Sequence, residues 1–248
     1  TRADLESNRG AGIYIGYSGT QAELTDVRVE STLPTVRGIY GRGLSLENGA
    51  SLTFERLQFE SNTEVGFTVV DAGTNAEGTD LIVRNTNSRV DGSGGSGVQV
   101  NFGASLVLER GFLDGNRESS LLVSDVDSSL SASDLVIQNT QVASCAEDPQ
   151  LECGLAGGGF GDGLLVIGGS SVELNRFSAT GHERVAMYFY DVTGIEDESL
   201  GGVTGAPSLS AENGEVTSNL YGINIRGDSV TPQDLVMVAC YENEKTVD

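Results

Sequence analysis

Apolar and polar residues alternate along this chain in short runs. Gly43 to Asn62, GLSLENGASLTFERLQFESN, shows the unit: Leu44 and Leu46, then Leu52 and Phe54, then Leu57 and Phe59 alternate with polar residues. Period-two alternation broken by Asn-Gly and by polar pairs predicts three brief half-buried strands. The unit recurs eight times. Its first inward column reads Ile13, Leu44, Phe67, Val98, Leu121, Leu164, Met187, Ile223. Five further columns follow, and the last copy is aligned as Val230, Pro232, Leu235 and Met237. All but four of these positions are apolar, and the exceptions are Gly78, Gly111, Gly214 and Pro232, in a chain that is 38% hydrophobic overall. A small residue precedes each copy: Gly12, Gly43, Gly66, Gly97, Ser120, Gly163, Ala186, Gly222. Each copy closes on a polar residue: Asn8, Thr32, Asn62, Thr86, Asn116, Thr140, His182, Asn219. Asn and Thr side chains bond local backbone, so this column predicts a ladder at one corner.

A minimal period of about 23 residues predicts a solenoid. Leucine-rich repeats share that period but need an LxxLxLxxN pattern and usually a helical segment, and neither is present. On its inward columns, small column and polar column the chain resembles the right-handed parallel β-helix family, the pectin-lyase-like architecture. The resemblance covers essentially the whole chain and implies an all-β fold, a right-handed parallel β-helix (β-solenoid) of about eight rungs. It implies little about activity, because lyases, hydrolases, epimerases, tailspikes, adhesins and surface proteins share it. Residues 1–248 are then one domain. Leu5-Glu6-Ser7-Asn8 matches the end of a copy, Phe59-Glu60-Ser61-Asn62. This predicts an excised part of a longer chain, with flanking rungs or domains as natural partners.

The net charge of −22 excludes nucleic acid as a partner and disfavours anionic membranes. No apolar run approaches a membrane span, so no insertion is expected. The acidity reads first as solubility, because charged outward faces keep solenoids apart. Cys145 and Cys153 flank AEDPQLE in one loop and predict a local disulfide, hence an extracellular or cell-surface setting. Two thiols without a nearby histidine make a poor zinc site. Cys240 is left over.

Connections between copies alternate: 8 residues from Leu5 to Ile13, 15 from Val29 to Leu44, 8 from Phe59 to Phe67, 15 from Val83 to Val98, 8 from Leu113 to Leu121 and 27 from Ile137 to Leu164. Insertions at 140–162 and 191–208 are the largest departures, and loops on a rigid scaffold are where function concentrates. The outward residues of the first strand line a groove in this fold. Tyr188, Tyr190 and Arg226 there are candidates for stacking on or bonding a sugar, joined by Asn101 and Glu47. The competing expectation is that the long loops cover Leu122, Leu165 and Ile167.

No catalytic motif stands out. Thr180-Gly181-His182 is similar to the Gly-His element of polygalacturonases, but matching paired aspartates are missing, and the turn column explains His182 fully. Asp125, Asp127, Asp162 and the run Glu196-Asp197-Glu198 could ligate Ca2+ but match no Ca2+ motif, so no cofactor is expected and Ca2+ stands as an alternative without a motif behind it. Ile82, Phe112, Val136 and Val236 form an outward apolar stripe, an interface or a covered surface. The expectation is a non-catalytic extracellular or cell-surface scaffold or adhesin that binds polysaccharide or another surface protein. A lyase or glycoside hydrolase using the first-strand groove is the alternative, and a segment that assembles end to end is another.

Overall fold

The structure is a computed structural model that describes residues 2–142, 160–193, 205–226 and 234–243. It is a right-handed parallel β-helix, with every strand pairing parallel and one rung above the last. The predicted first strands form one sheet: β2 (Ala11–Ile15), β4 (Arg42–Leu46), β6 (Val65–Val70), β8 (Ser96–Asn101), β10 (Glu118–Ser124), β12 (Gly161–Ile167), β14 (Val185–Tyr190) and β16 (Tyr221–Arg226). The other sheet carries β1 (Ala3–Glu6), β3 (Gln21–Glu30), β5 (Ser51–Glu60), β7 (Asn75–Arg84), β9 (Ser105–Asp114), β11 (Ser129–Gln138), β13 (Ser171–Thr180), β15 (Ser208–Thr217), β17 (Leu235–Val236) and β18 (Ala239–Tyr241).

The second and third predicted strands of the first seven copies are therefore one ten-residue strand with a corner in it. At each corner a non-glycine residue takes a left-handed φ: Asp26 (56°), Arg56 (58°), Asp80 (59°), Arg110 (60°), Asp134 (54°), Arg176 (55°) and Asn213 (55°). This residue belongs to neither face, which is why the inward spacing from Leu24 to Val27 is three and not two. Aspartate and arginine alternate up the corner. Arg56 Nε lies 2.5 Å from Asp26 Oδ1, Arg110 Nε 2.7 Å from Asp80 Oδ1 and Arg176 Nε 2.7 Å from Asp134 Oδ1. Each pair is bidentate through Nη2 as well. The true repeat is thus two rungs, 54 residues from Asp26 to Asp80 and again to Asp134.

The polar column forms the second corner, and it is buried from Thr32 through Asn219. Asn62 Oδ1 accepts from Thr32 N at 3.0 Å while its Nδ2 donates to Val29 O at 3.1 Å. Asn116 repeats this with Thr86 N and Val83 O. The residue before it takes the left-handed φ here, as at Ser31, Ser61 and Asn85. Between the corners the inward columns fill the interior. Phe67 stacks on Phe59 at 5.8 Å and meets Phe54 edge-on at 5.9 Å. The glycines within these columns make room: a Cβ on Gly214 would lie 2.1 Å from the Phe177 ring and one on Gly78 would lie 2.4 Å from Phe54. The small residue before each first strand has the same origin, since a Cβ on Gly43 would lie 2.4 Å from Gly66 O.

The last rung departs from its predicted alignment by three residues. Leu235 pairs with Ala211 and Cys240 with Val216, so Val238 and Cys240 take the places assigned to Leu235 and Met237. Met237 becomes the left-handed corner (φ 55°) and is 78% exposed. Val236 consequently lies opposite Glu212, outside the apolar stripe, and Ala239 falls on that strand segment instead. Ile82, Phe112 and Val136 do share an outward column, half-buried, with Arg84 over the Phe112 ring at 5.0 Å. Cys145, Cys153 and Glu196-Asp197-Glu198 lie outside the described residues.

Candidate functional site

The outer face of the short-strand sheet is the predicted groove, and the strand register arranges its side chains in columns. Glu47, Val70, Asn101, Ser124, Ile167, Tyr190 and Arg226 occupy one of them. Four of the five candidates thus stand in one line. From Glu47 to Arg226 that line rises six rungs, roughly 29 Å at ~4.8 Å per rung. Tyr188 stands in the neighbouring column, beside Leu165 and Asn224.

The line passes from a polar end to an aromatic end. At the aromatic end Tyr188 and Tyr190 stack at 5.9 Å with an interplanar angle of 11°. Arg226 lies 5.8 Å from the Tyr188 ring and 5.9 Å from the Tyr190 ring, and Arg184 packs over Phe160 at 4.5 Å and Tyr188 at 5.3 Å. Tyr188 is only 7% exposed, because Leu165 and Val185 pack around it. It supports its neighbours and offers no free ring face, so the surface candidates here are Tyr190 and Arg226. Burial raises the Tyr188 hydroxyl above its ordinary range, against the pull of Arg226 and Arg184. Leu165 is buried while Leu122 and Ile167 are half-buried, with Phe160 of the long connection packed against them. The expected cover therefore extends over part of this end.

At the polar end Glu47 accepts from Arg42 Nη1 at 3.0 Å and from Ser45 Oγ at 2.5 Å. Arg42 also reaches Glu64 Oε1 at 3.2 Å through Nη2 and stacks over Tyr40 at 4.9 Å. Tyr14 and Tyr40, both about half exposed, flank a cavity of about 450 Å3 that Arg42, Glu47 and Asp71 help to line. Desolvation and the Glu47 carboxylate raise the Tyr14 hydroxyl.

None of Arg42, Glu64, Glu118 and Arg184 stands out in the sequence as a site residue, and Asp162 does so only as a loop acid for Ca2+. All sit where the chain enters a strand, a place that sequence reading assigns to solvated turns. The 54-residue spacing that relates Glu64 to Glu118 and Arg42 to Ser96 is the signal that finds the first of them, while the long connection hides Asp162 and Arg184, each 66 residues beyond its counterpart. Asp162 is fully buried, and Arg184 grips it through Nε at 2.7 Å and through Nη2. Burial pushes the Asp162 carboxyl up despite that partner.

His182 is away from this face, in the buried polar column. Its Nδ1 lies 2.8 Å from Thr140 Oγ1 and its backbone N donates to Asn219 Oδ1 at 2.9 Å. Burial holds its pKa down to about 3, against the opposing effect of the Ile137 carbonyl. A neutral, enclosed imidazole in a turn ladder is a structural group. Asp125 is likewise engaged in a turn, where its Oδ2 accepts from Ser124 Oγ at 2.8 Å and Phe102 N at 3.3 Å. Among the described residues no three His, Cys, Asp or Glu side chains converge as metal ligands. A longer recess of about 820 Å3 runs along the outer face of the long strands, lined by Glu77, Glu109, Glu173 and Glu212 among Ser, Thr and Asn. No helix among the described residues is long and apolar enough to cross a membrane.

A family model described as "Right handed beta helix region" matches residues 11–196, well over half of the chain. No curated protein matches the sequence.

Proposed function

The chain belongs to the right-handed β-helix family, and from that premise we propose that it is a non-catalytic extracellular or cell-surface module. Its short-strand face holds a ligand, with a polysaccharide as the ligand class. The observation that carries this reading is the pairing of charge in the first and last groups along the groove. Arg42 is bound by Glu47 and Glu64, and Asp162 by Arg184. Carboxylates locked in this way are poor proton carriers, whereas the exposed tyrosines and the column from Glu47 to Arg226 suit extended binding. A β-helix supplies such a face without moving parts, so ordering the site costs little on binding.

One observation favours a glycoside hydrolase as a second reading. Glu118 and Asp162 lie on paired strands, close enough for the Asp162 carboxylate to raise the Glu118 carboxyl, and Asp162 acts on Tyr188 as well. Glycosidases need two carboxyl groups roughly 5–10 Å apart. A glycan array combined with assays for new reducing ends and for unsaturated ends separates the two. Binding without turnover, weakened at least tenfold by Tyr190→Ala with Arg226→Ala, is the expected result. Turnover that disappears in Glu118→Gln overturns it.

A further inference from the structure

The two-rung repeat places three equivalent groups of four side chains on the groove. The first is Arg42, Ser45, Glu47 and Glu64; the second is Ser96, Gln99, Asn101 and Glu118; the third is Asp162, Leu165, Ile167 and Arg184. The first and third pair their charges, with opposite polarity, and Glu64 of the first also reaches Arg89. The second contains a carboxylate and no cation, because Ser96 stands where Arg42 stands two rungs below.

Its acceptors record the difference. In the first group Arg42 Nη1 donates to Glu47 Oε1 at 3.0 Å, and Arg42 Nε and Nη2 donate to Glu64 Oε1 at 3.3 and 3.2 Å. In the second, Asn101 replaces Glu47, and its Oδ1 is buried with no hydrogen-bond partner among the described residues. Glu118 replaces Glu64, and among the described residues its carboxylate has one hydrogen-bond partner, Ser96 Oγ at 3.4 Å. Below them Ser96 and Ser119 are fully buried and face each other at 3.1 Å, with Gln99 Nε2 donating to Ser96 Oγ at 3.1 Å. Arg89 is the cation whose field reaches Glu118, but Glu64, Asp91 and Ser93 already engage it. Burial, with Glu64 and Asp162 as like-charged neighbours, favours a proton on Glu118. An orphaned amide oxygen and an unpaired carboxylate cost free energy that a shared donor would recover.

We propose that Glu118 and Asn101 bind a guanidinium group carried by a ligand, seated as the Arg42 guanidinium is seated two rungs below. A planar fork with several donors serves two acceptors on neighbouring strands, whereas an ammonium presents a point charge. This site is independent of the polysaccharide reading and stands or falls separately.

The test is titration of the intact chain with ethylguanidinium, ethylammonium and uncharged ethylurea, following the Glu118 side-chain carboxyl by 13C NMR. Ethylguanidinium is expected to shift the resonance and to lower its titration midpoint by about one pH unit. Ethylurea is expected to do neither, and ethylammonium to bind at least threefold more weakly. Glu118→Gln should abolish ethylguanidinium binding measured by saturation transfer. Ser96→Arg should lower the Glu118 midpoint without any probe and remove the response to ethylguanidinium. Asn101→Asp should tighten ethylguanidinium binding severalfold and decides the matter if Ser96→Arg does not fold. Binding retained in Glu118→Gln, equal binding of ethylammonium, or unchanged affinity in Asn101→Asp overturns the proposal.

Discussion

Each rung turns at one corner lined by Thr32, Asn62, Thr86 and Asn116, and at another lined by Asp26, Arg56, Asp80 and Arg110. Both corners use a left-handed residue, and both alternate with a period of two rungs. Their chemistry is opposite. The first is buried and joins amide side chains to backbone groups of the rung below. The second is exposed and joins whole charges. A buried backbone amide that loses its partner cannot turn to water, while an exposed ion pair that breaks is solvated at once. The buried corner therefore carries stability, and the exposed one carries register.

The largest expected effect falls on the buried corner. Asn116→Ala leaves Thr86 N and Val83 O without their bonds of 3.1 and 3.2 Å. A loss of about 2–4 kcal/mol in urea unfolding is expected. Arg110→Ala at the exposed corner removes three hydrogen bonds, to Asp80 and Glu109, yet should leave the midpoint almost unmoved. Equal losses in the two variants would break the distinction.

His182 sharpens it at intermediate size. It occupies an asparagine slot of the buried corner, and its Nε2 has no hydrogen-bond partner among the described residues. With a folded pKa near 3 against about 6.5 when unfolded, the unfolded chain binds the proton more readily. The stability that neutral His182 contributes is complete above pH 6.5 and is lost as pH falls toward 3, at about 1.4 kcal/mol per unit. Glu118 and Asp162, whose values are raised, act with the opposite sign, so wild type alone does not isolate the term. The difference between His182→Asn and wild type does. It should be within about 1 kcal/mol at pH 7 and should favour the variant by roughly 3 kcal/mol at pH 4. A difference that does not grow between those pH values would show that the imidazole is already charged in the folded state.

The two corners were unequally legible in the sequence. The buried one stood out because Asn, Thr and His recur at the end of an apolar column and have a known local bonding role. The exposed one was hidden because Asp26 and Arg56 look like ordinary polar residues between two strands. Only the three-residue step from Leu24 to Val27, or the 54-residue spacing of Asp26, Asp80 and Asp134, reveals a corner there. The slip in the last rung has a similar origin. Leu235, Val236, Val238, Ala239 and Cys240 are so densely apolar that period-two alternation fits more than one register. In the groove, the alignment of Glu47, Asn101, Tyr190 and Arg226 followed from counting. The burial of Tyr188 did not, because it depends on Leu165, Val185 and Arg184 converging from other strands.

The smallest effect tests whether the exposed corner is a ladder at all. Asn213 ends the alternation above Arg176, where an aspartate is due, and its Nδ2 donates to Asn175 Oδ1 at 3.0 Å. Aspartate already tolerates this left-handed backbone at Asp26, Asp80 and Asp134. Asn213→Asp should therefore add a charge on the open side of Arg176 without strain. The expected outcome is a rise of a degree or so in Tm at low ionic strength, vanishing in about 1 M salt, where charges are screened beyond about 3 Å. If the rise persists at high salt, its cause is local backbone preference at the corner. If Tm falls at low salt, the bond to Asn175 outweighs the added charge, and the alternation ends at Arg176 because the amide pair is the better closure.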